Sequence, residues 1–473
     1  MRTLLSFGTV KGLPSEEAAM LADLVKLYNS HLSTNKEKEK YYNGDIALDE
    51  VNLGLALPDG LGALEIGCEW GAKTVDVLAS RSMFDGFVGK NGTDNNQINE
   101  IAEANNLKAQ YAKVTKDELK FGCTFATLSK DPAAGGCRIR FHSPLSAAAR
   151  WDGAKGRIGY GFAIISNEEI SPETYQPNIV NLYTDTDIWV LRRNSNLWTA
   201  ERYPHRMGRL LMEPVVWNPT NAKPLGRSRL KGPIRKLMQG YVRTIANATI
   251  GLEFSTSPQK YILGVTDEQY DVLINDKFKQ YVGSILTSTV NPETGEKPTF
   301  GQLAQGSIEP HVQMMRLLAT QFSAATGLSV VDTGVINDAN PTSSDAILAQ
   351  SQTLVLMAEQ LNAGNAGSLY TIAQMALAVA NDTSMEELDE AQRDIIAHFK
   401  NPAMPSVAVT ADAAIKIASA RPEFAGTDTF LEMIGFDQAD VRRIKAQEQR
   451  ARGQQILELE FSDADQPEDM DEI

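Results

Sequence analysis

Residues 340–347 read Asn340-Pro341-Thr342-Ser343-Ser344-Asp345-Ala346-Ile347, and they set the architecture. Pro341 cannot continue a helix from the residues before it, and the Ser/Thr run supplies N-cap oxygens. A long amphipathic helix is therefore predicted from about Ser344. Its first apolar stripe is Ile347, Leu348, Leu354, Val355, Met357, Ala358 and Leu361, and its second is Leu369, Ile372, Met375, Ala376 and Val379. Asn362-Ala363-Gly364-Asn365-Ala366-Gly367 lies between the stripes and predicts a kink or break. Upstream, residues 267–281 and 309–325 have helical periodicity. Between them, residues 286–290 and 297–303 flank Asn291-Pro292-Glu293-Thr294-Gly295-Glu296, a hairpin by its turn residues. Two antiparallel helices joined by a hairpin bury little alone, and gain a core when copies pack around an axis. The stretch 267–382 thus points to a ring with a bore, a conduit more than an enzyme.

Composition agrees with a globular chain. Of 473 residues, 42% are hydrophobic and 22% charged, enough to bury a sizeable core over two or three domains. The formal net charge is −15, whereas proteins that grip DNA carry a basic excess. An acidic balance suits a surface past which DNA slides, and it equally suits plain solubility. Cys68, Cys123 and Cys137 are odd in number and spread out, so no disulfide framework is expected and a reducing compartment is. The N-terminal stretch has no long apolar segment or small-residue cleavage site, and no run approaches the ~18 apolar residues of a membrane span. A soluble protein assembled in a cytoplasm is the expectation.

Along the chain, helices are predicted over 14–43, 73–83 and 94–113. From 116 to 219 the period changes to two. Short antiparallel strands are predicted at 121–128, 137–141, 158–165, 178–183, 187–193, 198–203 and 215–217. Helices followed by a run of strands indicate an α+β fold, not a doubly wound sheet. A helix opens near residues 225–230, another near Ser384, and more at 410–420, 427–434 and 441–452, the last rich in Arg and Lys. Residues 458–473 hold Glu458, Glu460, Asp463, Asp465, Glu468, Asp469, Asp471 and Glu472 without a basic neighbour, a tail expected to be solvated and disordered.

The best enzyme signal is Gly67-Cys68-Glu69-Trp70-Gly71-Ala72-Lys73-Thr74, one residue from the phosphate-binding pattern GxxxxGK[ST]. Ala72 stands where that pattern needs Gly, and a Cβ there obstructs the nest of backbone N–H groups. The nearest candidate for the partner strand, residues 162–169, has Asn167 where an Asp is wanted. A loop leading into an amphipathic helix explains the segment more simply. Cys123, Cys137 and His142 fit no paired metal-ligand spacing. Asp185 and Asp187 read as surface turn residues between strands, not as a catalytic dyad.

Several marks in order resemble the portal proteins of tailed bacteriophages, the broad family of long-tailed phages and prophages. They are Tyr41-Tyr42-Asn43-Gly44, Val75-Asp76-Val77-Leu78-Ala79 before Asp85-Gly86-Phe87, and His205-Arg206-Met207-Gly208-Arg209 before Pro214-Val215-Val216. Pro224-Leu225-Gly226-Arg227-Ser228, Thr326-Gly327-Leu328, residues 340–347 and Gly435-Phe436 complete the set, which spans roughly residues 14–455. The resemblance implies a portal fold: an α/β wing, a helical stem, a small β-hairpin clip and a helical crown, closed into a dodecameric ring at one capsid vertex. Mapped by order, 1–265 is mostly wing, 266–285 and 306–327 are stem helices, and 286–305 is the clip. Then 328–343 is the tunnel loop, 344–400 the long wing helix region, 401–457 the crown and 458–473 the acidic tail.

The resemblance further implies no catalytic residues, no metal and no cofactor. Its implied partners are copies of itself, double-stranded DNA passing without sequence preference, the terminase large subunit, a head–tail connector, the major capsid protein and a scaffold, with no membrane. Location in the virion, with assembly in the host cytoplasm, follows. Tunnel-loop candidates facing DNA are Val331, Asp332, Thr333, Val335, Ile336, Asn337, Asp338 and Asn340; the loop has no Lys or Arg. Clip candidates for docking the motor and connector are Thr289, Asn291, Glu293, Thr294, Glu296 and Lys297. Two other readings stay open: a P-loop-like nucleotide hydrolase using Lys73, and a different capsid-associated structural ring.

Overall fold

The computed structural model describes residues 4–46, 66–89, 96–171, 174–195, 197–256, 260–263, 290, 295, 297, 299–302, 307–335, 344–403, 407–436 and 438–464. The first predicted stem helix and most of the predicted hairpin lie outside these residues. The chain falls into two compact units: residues 1–33, 77–228 and 352–473 form the first, and 34–76 and 229–351 the second. Both helices and sheets are present, so the α+β class stands.

The first unit opens with β1 (Val10–Lys11) and α1 (Ser15–Asn43), whose leading part belongs here. Its large sheet runs β1-β9-β8-β7-β6-β5, where β5 is Ala147–Asp152, β6 Arg157–Ser171, β7 Thr174–Tyr183, β8 Asp187–Asn194 and β9 Leu197–Pro204. Period two explains its burial: Trp189 and Leu191 of β8 are buried, while Val190 and Arg192 between and after them are not. The apolar stripe Leu21, Leu24, Tyr28 and Leu32 of α1 packs in one core with Phe162, Val180, Leu182 and Leu191. Tyr28 Oη donates to the Leu145 carbonyl at 2.7 Å, so the ring is buried without an orphaned hydroxyl.

A second core in the same unit lies among α3 (Asn96–Ala104), α4 (Leu107–Phe121), the sheet β10-β3-β4 and the long helix α7 (Ser344–Asn381). Here β3 is Cys123–Asp131, β4 Gly136–His142 and β10 Met212–Val216. The predicted second stripe of α7, with Leu369, Ile372, Met375, Ala376 and Val379, is buried in this core. A small sheet pairs β2 (Phe84–Val88) with β13 (Ile396–Phe399).

Several expectations need correction. The span predicted as one helix over 94–113 is α3 and α4, divided at Asn106, which takes the left-handed conformation (φ 50°). Phe121 ends α4 and does not start a strand; Gly122 (φ 111°) makes the turn. A Cβ on Gly122 would press on the backbone of Arg227 and Ser228 at 3.1 Å. β5 was not expected, because Ala-Ala-Ala-Arg-Trp-Asp has little β preference; pairing with β6 overrides it.

No helix starts at Ser384. That residue opens a single turn, and a short helix α8 (Glu390–Arg393) follows behind a capping box of Asp389 and Gln392. α9 (Val407–Ala420) and α10 (Asp428–Ile434) lie where helices were predicted. α11 (Gln438–Ala464) continues into the segment assigned to a disordered tail; residues 465–473 are outside the described residues. α7 runs unbroken through Asn362–Gly367, against the predicted break.

The second unit holds α2 (Trp70–Ala79, of which residues 70–76 belong here), α5 (Gly232–Thr256) and α6 (Glu309–Thr326). Tyr41, Trp70, Val75, Ile234, Met238, Val242, Leu318, Ala319 and Phe322 are its buried side chains. The methyls of Leu318 lie over α5 at Gly240. β12 (Thr299–Gln302) pairs antiparallel with β11 (Lys260–Leu263), a partner that the sequence reading did not assign to it.

Candidate functional site

The described part of the loop after α6 is tied down bond by bond. Gly327 (φ 74°) closes α6 by donating to the Ser323 carbonyl. Ser323 Oγ donates to the Leu328 carbonyl at 2.6 Å, and Leu328 itself is buried. Ser329 then gives both its N–H (3.0 Å) and its hydroxyl (2.8 Å) to one carboxylate oxygen of Asp332. That clamp forms a 3-10 turn over Val331–Thr333, which Gly334 (φ 74°) ends.

Two side chains hold this turn to the rest of the second unit. Trp70 Nε1 donates to the Thr333 carbonyl at 3.0 Å. Its ring stacks on Tyr241 at 4.2 Å and leans on Phe322 at 4.5 Å, so the indole is held between packing partners and its hydrogen-bond acceptor. Arg229, 6% exposed, donates from Nε to the Thr74 carbonyl (2.8 Å) and from a terminal nitrogen to the Thr326 carbonyl (2.7 Å). Burial pulls its pKa down to about 10, which leaves it charged at neutral pH. Thr326 is the last residue of α6, where the helix dipole is negative and favours a cation.

Among the tunnel-loop candidates, Val331 is exposed (72%), the Asp332 carboxylate is engaged by Ser329, Thr333 is buried and Val335 is half-buried. Ile336, Asn337, Asp338 and Asn340 lie outside the described residues. Of the clip candidates Lys297 is exposed, and Thr289, Asn291, Glu293, Thr294 and Glu296 lie outside the described residues. The sequence reading missed the roles of Trp70 and Arg229. Trp70 lies inside the P-loop-like string, and Arg229 in the stretch 225–230 read as the opening of a helix, which in the structure starts only at Gly232. No local pattern marks a buried arginine; only the packing reveals it.

The P-loop-like segment has other employment. Thr74, whose hydroxyl the motif would give to a magnesium ion, is fully buried and donates to the Trp70 carbonyl at 2.8 Å. A Cβ on Gly71 would overlap the Tyr41 carbonyl oxygen, so this glycine serves close backbone packing. Lys73 is exposed.

In the first unit, Cys137 is buried and its thiol is pushed up to about 12 by that burial. His142 shares a 2.9 Å bond with Thr127 and is driven down to about 4, first by burial and then by Arg140. Among the described residues no His, Cys, Asp and Glu cluster could hold a metal ion. Asp185 pairs with Lys155 and Arg157. Asp187 does not stand in a surface turn: it opens β8 and is buried, and its carboxylate receives two bonds from Arg202 at 2.7 and 3.0 Å. Arg202 holds the Asp187 carboxyl below the ordinary range, against desolvation.

Solved structures give a distant likeness. The chain is 13% identical to a component of the virion of a native gene transfer agent particle, covering 74% of this chain and 86% of that one, with a TM-score of 0.44. A component of the neck of the empty particle, computed with C6 symmetry, gives 12% identity, coverages of 80% and 95%, and a TM-score of 0.45. No curated protein matches the chain. The family model described as "Phage portal protein, SPP1 Gp6-like" matches residues 24–454. With that match spanning most of its length, the chain belongs to the SPP1 Gp6-like family of phage portal proteins.

Proposed function

We propose that identical copies of this chain close into a ring at one capsid vertex, and that double-stranded DNA passes through its axial hole during packaging, retention and ejection. Membership of the portal family carries the reading. The net charge of −15 and the absence of Lys and Arg from 328–343 support passage without capture, since a basic bore would hold DNA by releasing its counterions. The mechanism is physical: a separate ATPase, the terminase large subunit, drives the DNA, and this chain supplies walls and a gate. Twelve copies, a docking surface for terminase and head–tail connector around 286–305, and contact with the major capsid protein and a scaffold complete the proposal. The virion is its place, with assembly in the host cytoplasm. Among the described residues no helix is long and apolar enough to cross a membrane.

The Trp70 and Arg229 anchors give the gate a fixed base. On this reading Val331 and the residues after Gly334 meet DNA, while 326–334 hold position. Electron microscopy of the purified protein tests the ring. Particles with an axial hole are expected; a compact monomer at every concentration would end the reading.

A further inference from the structure

The core of the first unit contains a chain of buried polar groups that lacks one hydrogen. Ser82, Tyr111, Glu118, Asn362 and Asn365 are all buried, Glu118 and Asn365 completely. Ser82 Oγ donates to Asn362 Oδ1 at 2.6 Å. The 2.9 Å bond between Ser82 and Tyr111 must then use the tyrosine hydrogen. Tyr111 Oη in turn accepts from Asn365 Nδ2 at 2.8 Å. The other hydrogen of that amide goes to Glu118 Oε2 at 2.9 Å. Both hydrogens of the Asn365 amide, and those of the Ser82 and Tyr111 hydroxyls, are then assigned. Two acceptors remain buried with no partner, Glu118 Oε1 and Asn365 Oδ1, and they belong to the same two side chains that the last bond joins. Two unpartnered acceptors in a core are costly, and a single hydrogen shared between them would satisfy both.

We propose that Glu118 holds a proton at neutral pH in the folded protein and donates it from Oε1 to Asn365 Oδ1, closing a cyclic acid–amide pair that locks α7 to α4. The site takes a proton as its ligand, and it stands whether or not the ring reading does. Burial, opposed by the Asn365 bond, lifts the Glu118 carboxyl to about 8. Among the described residues no cation offsets it. Tyr111 is the titratable group of α4 that shares the network, and burial raises its pKa further. Lys120 and Asp117, on the same helix, pair with each other. Charges on the elements packed against α4 are engaged elsewhere or exposed. Asp85 of β2 pairs with Lys108, Lys130 and Asp131 of β3 with Asp382 and Arg138, and Glu213 of β10 with Arg209. Glu100 and Glu103 of α3, and Glu359 of α7, are exposed.

The sign follows from linkage. The folded state binds a proton that the unfolded chain has released, so stability falls as pH rises between the ordinary glutamate range and the raised folded value. Glu118→Gln replaces the proton by an amide N–H and removes the dependence. Thermal unfolding of wild type and Glu118→Gln from about pH 6 to about pH 9 reads it. The wild-type midpoint should drift down by several degrees relative to the variant across that window; parallel curves would overturn the proposal. Infrared difference spectra of the two folded proteins at neutral pH should show an un-ionised carboxylic acid in wild type alone. A carboxylate band in its place would overturn it as well. Asn365→Asp supplies a route independent of that variant: two acids would share one proton, so the fall with pH should steepen, and an unchanged slope counts against the pair.

Discussion

Arg229 in the second unit and Glu118 in the first are both ionisable groups enclosed by helices, yet their surroundings differ in kind. Arg229 reaches two backbone carbonyls, one of them at the C-terminal end of α6. Glu118 meets one side-chain amide and leaves an oxygen bare. A guanidinium can stay charged in a core, because its intrinsic basicity is large and helix ends supply partial negative charge. A carboxyl given no cation and no N–H cluster sheds its charge more cheaply than it keeps it. One unit is therefore held by a buried charge and the other, on our proposal, by a buried proton.

The largest expected effect tests the charge. Arg229→Ala strands the Thr326 carbonyl and empties the site, and should cost about 3 kcal/mol in denaturant unfolding. Arg229→Lys, which cannot span both carbonyls, should recover only part of that loss. A neutral Arg229→Ala would break the comparison outright. Trp70→Phe keeps the stack on Tyr241 but loses the donor to Thr333 and some volume. A loss of about 2 kcal/mol is expected. Amide exchange at 328–335 should quicken more than exchange in α5, and equal quickening would deny Trp70 its anchoring role.

Asp187 sharpens the contrast, being a buried carboxyl that does have an arginine. Its folded pKa is lowered, so its contribution is present above the ordinary aspartate value and is lost as pH falls through that value to the folded one. Asp187→Asn should cost about 1 kcal/mol at neutral pH, small because Arg202 is largely exposed. The gap should close on acidification, the reverse of the Glu118 trend; a pH-independent gap would refute the assignment. The smallest effect belongs to Lys73→Ala. Stability should move by less than about 0.5 kcal/mol, and ATP turnover by the pure protein should be nil before and after. Turnover abolished by that substitution would restore the hydrolase reading.

Periodicity carried most of what was legible. β8 of the large sheet alternates in burial, and α1, α6 and the second stripe of α7 bury the faces that their spacing predicts. Errors cluster where a polar residue serves the interior. Asn362 and Asn365 look like helix breakers because asparagine competes for backbone bonds. In the fold their amides are taken by Ser82, Tyr111 and Glu118, none of which is near in sequence. β2 and β13 escaped notice because four or five residues of strand need each other, and about three hundred positions separate them. Trp70 and Arg229 escaped because burial of a polar tip depends on what packs around it, which no local pattern encodes.

Gly71 bears on how far this chain can drift. Its α-carbon lies so near the Tyr41 carbonyl that even a methyl group would need the space of that oxygen. The obstacle is main chain and cannot rotate aside. Every side chain, from alanine upward, therefore meets the same wall, and substitutions there differ little in severity. The position acts as a spacer of zero thickness that sets how closely two stretches of backbone can approach, and in a library randomised at this codon the survivors would be glycine.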